Sequence, residues 1–319
     1  MFATTLVKVI LTVSALALAG SAVGASYKWT EVQVPSSFVT GFDTNIVWNP
    51  AGYEMVIAED AHGHSQTYGF ESGHWVNLGL ATPTVAPSVG DLVYDHHDGQ
   101  MLLFIDFTGT GAGVQVWELS HGAWGHLLLK GGPTSSVDYP ATVVYDASDG
   151  YVLYYGGSTT GCDCGSNQTW SFVSGTWHHF AGSGFPPAVE FPQVVYDGAL
   201  GKVLLFLNGG GPSESDYGFW TFHAGSWIHT NPSARPHLSG AMGFDVALNA
   251  VLVSGVTSQG AGPYVFLWKS GAGGFTNISS STTHKNTQCT GVSLEYLNYD
   301  PSEGGLLCVG TDEALWAFT

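Results

Sequence analysis

The chain has 319 residues, of which 7 are Lys or Arg and 25 are Asp or Glu, for a formal net charge of −18. So acidic and base-poor a surface repels phosphate backbones, which argues against nucleic acid and anionic membranes as partners. Only 10% of residues are charged and 44% are hydrophobic. That is material for large buried cores. The net charge serves first to keep a secreted protein soluble, and the sharper alternative is work in acid, where carboxylates are neutralised.

Residues 1–25 read as a secretory signal peptide. Lys8 supplies the positive start, residues 9–19 are an apolar run, and Val23-Gly24-Ala25 suits a signal peptidase. An uncleaved anchor is the alternative, because the 17 residues from Val9 to Ala25 reach the lower limit of a membrane span. Cleavage leaves no stable span, so the expected location is secreted or on the extracellular surface. Residues 26–319 are then one domain.

From Ile46 onward one unit recurs. Its first strand ends in a bulky residue and an Asp or Asn: Trp48-Asn49, Tyr94-Asp95, Tyr145-Asp146, Tyr196-Asp197, Phe244-Asp245 and Tyr299-Asp300. Periods of about 50 residues mark propellers and solenoids. A second signal is a pair of aromatics seven apart, Tyr68/Trp75, Trp117/Trp124, Trp170/Trp177, Trp220/Trp227 and Trp268/Phe275. Gly73, Gly122, Gly175, Gly225 and Gly273 stand two residues before the second ring. A glycine there suits a hairpin needing positive φ, and the rings are core between neighbouring sheets. Each unit thus holds four short strands, A to D.

These patterns predict an all-β, six-bladed propeller with four-stranded antiparallel blades. The sixth unit ends at Thr319 after its strand C ring, Trp316, without a strand D. The segment Tyr27-Lys28-Trp29-Thr30-Glu31-Val32 reads as the missing outermost strand. Pairing beside Trp316 closes the ring and removes an open edge.

The bulky-x-Asp ending, the Gly156-Gly157 pair after strand B and the Thr-Trp-x-Phe…Gly-x-Trp pattern resemble the kelch repeat, from Trp29 to Thr319. The copies are most similar to kelch-like modules of secreted microbial, especially archaeal, surface proteins. Galactose oxidase-like copper radical oxidases share this propeller type. That resemblance implies copper held by Tyr and His and a Tyr–Cys cross-link, for which Cys162 or Cys164 is in principle available. The family's further C-terminal domain, which supplies a ligand, has no counterpart here, so none of its site residues is carried over.

The four cysteines, Cys162, Cys164, Cys289 and Cys308, read as disulfides behind a signal peptide. Cys289 with Cys308 is sterically reasonable. Cys162 and Cys164 then pair with each other in a small strained ring or stay reduced. Zinc on four cysteines is a further reading, against which the spacing speaks. Asn167-Gln168-Thr169 and Asn277-Ile278-Ser279 are glycosylation sequons.

Alternation of strands puts the B–C and D–A connections on one face, where long variable loops favour binding. Candidates in the B–C loops are Asp60, His62, His64, Asp106, Asp163, Glu214 and Asp216; His237 and His284 lie in D–A loops. In Asp60-x-His62-x-His64 both imidazoles project to one side and could take a metal, although solvated loop histidines are the plainer reading. The repeated Asp95, Asp146, Asp197, Asp245 and Asp300 cap turns. No G-x-S-x-G, H-E-x-x-H, P-loop or sialidase-type aspartate box occurs, and no cofactor is expected. The reading is a secreted or surface module binding a protein or glycan on the loop face and at the channel mouth. The alternative is a propeller enzyme, a copper radical oxidase-like protein or one acting on carbohydrate.

Overall fold

The computed structural model describes residues 27–32, 44–59, 64–71, 74–81, 83, 90–105, 113–134, 141–157, 165–189, 192–207, 218–230, 232–234, 236–257, 262, 264–280, 282–283, 297–301, 304–309 and 315–319. All regular elements among them are strands, β1 to β25. Blade 1 is β2 (Val47–Asn49), β3 (Tyr53–Glu59), β4 (Ser65–Glu71) and β5 (His74–Asn77). Blade 2 is β6 (Gly90–Asp95), β7 (Gln100–Ile105), β8 (Gln115–Ser120) and β9 (Ala123–Leu127). Blade 3 runs from β10 (Ala141–Asp146) through β11 (Tyr151–Gly156) and β12 (Thr169–Val173) to β13 (Thr176–His179). Blade 4 has β14 (Gln193–Asp197), β15 (Lys202–Leu207), β16 (Gly218–His223) and β17 (Ser226–Thr230). Blade 5 has β18 (Ser239–Asp245), β19 (Ala250–Val256), β20 (Tyr264–Lys269) and β21 (Thr276–Asn277). In each blade the strands pair antiparallel in sequence order.

Blade 6 takes β23 (Leu297–Asp300), β24 (Gly305–Val309) and β25 (Leu315–Phe318) from the carboxyl end and β1 (Tyr27–Val32) from the amino end. The register is Trp29 opposite Phe318 and Glu31 opposite Trp316. Trp29 thus stands where Trp177 stands opposite Phe172 and Trp227 opposite Phe222. Lys28 and Thr319 exchange backbone hydrogen bonds at 2.8 and 3.0 Å. The sequence did not reveal that β22 (Thr282–Thr283) adds a parallel fifth strand outside β1, covering the edge that closure leaves.

Six apolar clusters fill the six seams, one between each pair of neighbouring blades. In each seam the strand D ring of one blade meets strand C of the preceding blade. The indole N–H groups of Trp124 and Trp227 donate to Thr67 and Thr169 of that strand, both at 3.0 Å. The equivalent residue facing Trp177 is Val116, and the Trp177 Nε1 has no partner. Facing Phe275, which has no N–H, is Phe219, with ring centroids 4.7 Å apart. Acceptors thus stand opposite two of these indoles, and an apolar residue opposite the benzyl ring.

The hairpins in blades 2, 3 and 4 have the expected positive φ at Gly122, Gly175 and Gly225. The residue before each glycine, His121, Ser174 or Ala224, also has positive φ, the type I′ pair that matches strand twist. Blade 5 corrects the expectation at Gly273. There the loop is two residues longer, Phe266 pairs with Asn277, and the left-handed residue is Gly271 at φ 78°. Phe266 occupies the row of Trp170, whereas Trp268 occupies that of Phe172. The seven-residue spacing of Trp268 and Phe275 therefore joins facing positions of one row, whereas Trp170 and Trp177 stand in different rows.

Replacing Thr169 by Val strands the Trp227 N–H, and the expected loss is about 1–2 kcal/mol. The reverse change, Val116→Thr, supplies Trp177 with an acceptor and is expected to leave stability unchanged or raised. Urea unfolding midpoints of the two variants check both outcomes.

Candidate functional site

The first strands of all six blades surround a central cavity of about 590 Å³. Each contributes the bulky residue before its terminal Asp or Asn, so Trp48, Tyr94, Tyr145, Tyr196, Phe244 and Tyr299 form a belt. The following turn fixes each ring. Asp95 Oδ1 accepts the N–H groups of His97 (2.8 Å) and Asp98 (3.3 Å). Asp146 does the same for Ser148 and Asp149, Asp197 for Ala199 and Leu200, and Asp245 for Leu248. Gly99, Gly150 and Gly201 close these turns in the left-handed region, where a side chain is costly. The turn-capping role expected of these aspartates is present in four blades.

Turns also grip the next blade. Asp98 accepts from the N–H and hydroxyl of Ser174, both at 3.1 Å. Asp149 accepts from Ala224 N–H at 2.9 Å, and both carboxylate oxygens of Asp197 accept from Ser270 Oγ. Within the channel, neighbouring first strands among the described residues meet only at the isolated bridge between Thr44 and Gly90, so side chains satisfy their backbone groups. Asn45 accepts from Leu92 N–H at 2.6 Å and donates to its carbonyl at 2.9 Å, and Asp91 accepts from Val143 N–H at 3.1 Å.

The described lining contains no Lys, Arg, Asp or Glu. Burial holds the imidazole of His96 below its ordinary value, with Asp95 opposing, and pushes the phenols of Tyr145 and Tyr299 up. At neutral pH the wall is therefore uncharged. His96 lies edge-on to Tyr94 (4.7 Å) and tilted to Tyr145 (5.2 Å). The Tyr196 hydroxyl is spent on Ser148 Oγ, whose own proton goes to the Gly201 carbonyl. Those of Tyr94, Tyr145 and Tyr299 have no protein partner among the described residues. Blade 5 presents Met242, Phe244, Val246 and Asn249. In a ring of six it faces blade 2, with Tyr94 and His96, and apart from blade 1, with Trp48, it is the one blade whose belt residue carries no hydroxyl.

Of the residues singled out from sequence, His64 and His237 are exposed, in connections of different blades. Asp60, His62, Asp106, Asp163, Glu214, Asp216 and His284 lie outside the described residues, as do Cys162, Cys164 and Cys289. Among the described residues no group of three or more His, Cys, Asp or Glu could hold a metal. Cys308 is fully buried in the seam between blades 5 and 6, and no described cysteine is free. Asn167 and Asn277 are exposed. The Thr169 of the first sequon is the buried acceptor for Trp227, and Ser279 donates to Asn277 Oδ1 at 2.6 Å. Sequence reasoning treated the belt only as a repeat marker. The aromatic recurring one residue before each Asp was the signal available.

No family model and no curated protein matches the chain. Solved structures do. Aleuria aurantia lectin, in complex with Fucα1-6GlcNAc, is similar with TM-score 0.59 and 12% identity over 89% of this chain and 96% of the lectin. The SapL1 lectin, in complex with α-methyl fucoside, gives 0.54 and 13% over 85% and 88%. A Thermus thermophilus protein described as a putative oxidoreductase (glucose dehydrogenase) gives 0.54 and 11% over 92% and 100%. At such identities the likeness shows the fold alone: a six-bladed β-propeller with lectins among its neighbours. No helix among the described residues is long and apolar enough to cross a membrane.

Proposed function

We propose that this protein is a carbohydrate-binding module whose central channel takes a neutral saccharide unit. The observation that carries the reading is the uncharged, aromatic-belted cavity, whose volume suits a small ligand. Sugars offer apolar C–H faces to aromatic rings and hydroxyls to fixed polar groups. The unpaired phenols of Tyr94, Tyr145 and Tyr299 supply the second need, and the belt supplies the first. Phe244 and Met242 favour a sugar edge without a hydroxyl. Lectins that take fucosides on the same fold support the assignment.

The finer elements extend it. Residues 1–25 direct secretion, and the module acts outside the cell on glycan, or on protein through the long B–C and D–A loops. Its repeats are of kelch type, supported by the aspartate-capped turns. Cys289 pairs with Cys308, supported by the burial of Cys308, and Asn167 and Asn277 are exposed as glycan acceptors must be. The alternative, an enzyme, draws on the neighbour described as an oxidoreductase.

Calorimetric titration with a panel of neutral monosaccharides and methyl glycosides tests the reading. Tyr145→Ala is expected to weaken the best ligand about thirtyfold, about 2 kcal/mol, without unfolding the ring. No binding across the panel, or equal binding by Tyr145→Ala, overturns it. Sugar oxidation with a dye acceptor instead favours the enzyme. Separately, non-reducing peptide mass spectrometry is expected to recover Cys289 and Cys308 in one linked species.

A further inference from the structure

Each belt ring has a cross-strand partner on the second strand of its blade. Those partners are Met101, Val152, Val203, Val251 and Leu306 in blades 2 to 6, and Glu54 in blade 1, opposite Trp48. Glu54 is fully buried. Its Oε2 accepts from Asn298 Nδ2 at 3.1 Å, across the seam between blades 6 and 1, and its Oε1 has no partner. This seam joins chain segments 244 residues apart. Asn298 lines the channel and immediately precedes the belt residue Tyr299.

We propose that Glu54 is the proton-carrying positioning residue of the channel: with its proton it sits uncharged and keeps the seam shut, and once ionised it is a buried charge without a cation that loosens the seam carrying Asn298 as the solution turns alkaline.

The surroundings give the reason. The groups facing Glu54 across the seam are Asp300 and Asn298 of β23. On its own sheet its cross-strand partners are Trp48 and Phe70, neither a charge. No Lys or Arg pairs with it among the described residues. A carboxylate there is buried without a cation and beside another acid, a placement that favours the neutral form. Burial, then the charge of Asp300, pushes its pKa well up, with the Asn298 hydrogen bond opposing.

The direction of the pH effect follows. Below the ordinary carboxylate range both folded and unfolded chains hold the proton, and nothing is lost. As pH rises the unfolded chain ionises first, so stability falls until folded Glu54 ionises as well. Asp95, Asp146 and Asp245 are displaced in the same direction by burial. They titrate equally in the native chain and in Glu54→Gln, so the difference between the two reads Glu54 together with its coupling to Asp300.

The test is thermal unfolding of the full chain, Glu54→Gln and Glu54→Leu from pH 4 to 8.5. Glu54→Gln is expected to match the native chain near pH 4 and to exceed it by about 2–4 °C at pH 8, for each unit by which the folded pKa is raised. A difference that stays constant with pH overturns the proposal. Should the glutamine variant misfold, a ¹³C NMR titration of the native glutamate carboxyls decides: Glu54 titrating in the ordinary range overturns it. The channel half rests on the saccharide reading and uses methyl α-L-fucoside, followed by tryptophan fluorescence. Binding to the native chain is expected to weaken at least threefold from pH 5 to pH 8, to stay level in Glu54→Gln, and to be weak at both in Glu54→Leu, which cannot hold Asn298. Level binding by the native chain overturns this half. If no saccharide binds at any pH, the function reading fails while the unfolding comparison still decides Glu54.

Discussion

The ring stands on one antiparallel pairing, β1 against β25, because a propeller blade cannot bury both faces alone. Each twisted four-stranded sheet needs a neighbour on either side, so five complete blades and an incomplete sixth would expose two seams. Placing Trp29 opposite Phe318, with the rings 5.1 Å apart and edge-on, gives the last blade the same outer row as the others. The two ends of the chain thereby carry one sheet, and β22 seals its outside.

Around that ring the seams are alike in plan and different in chemistry. A strand D indole needs an acceptor when it is buried, and Thr67 and Thr169 provide one. Where the ring is Phe275, the facing residue is the apolar Phe219. Trp177, facing Val116, is one place where this matching lapses. At the sixth seam the departure is larger: an acid, Glu54, stands in a row of apolar residues. A buried group of that kind costs stability unless another role keeps it, and its tie to Asn298 leads into the channel.

The channel owes its neutrality to the same turns that shape it. An aspartate ends each of five first strands, and in four of them its carboxylate turns back onto the N–H groups of the following turn, away from the cavity. The aromatic before it is left to face the axis. Negative charge and aromatic surface thus alternate along one strand and are separated by burial: acids into turns, rings into the channel. A protein of net charge −18 keeps an uncharged centre in this way.

The fold was legible because its signals repeat. Six copies of the strand ending, the paired aromatics and an unmatched amino-terminal strand leave few architectures that bury all of them. The period of a strand and the chemistry of a two-residue hairpin are local, so they show in the sequence. What depends on distance along the chain did not show. The register of blade 5, where Trp268 imitates the spacing of the other pairs, is set by a longer hairpin. The meeting of Glu54 with Asn298 joins residues 244 positions apart. The belt, written six times in the sequence as a marker, became a cavity wall only when closure brought six strands around one axis, since a site made of one residue per blade exists only in the assembled ring.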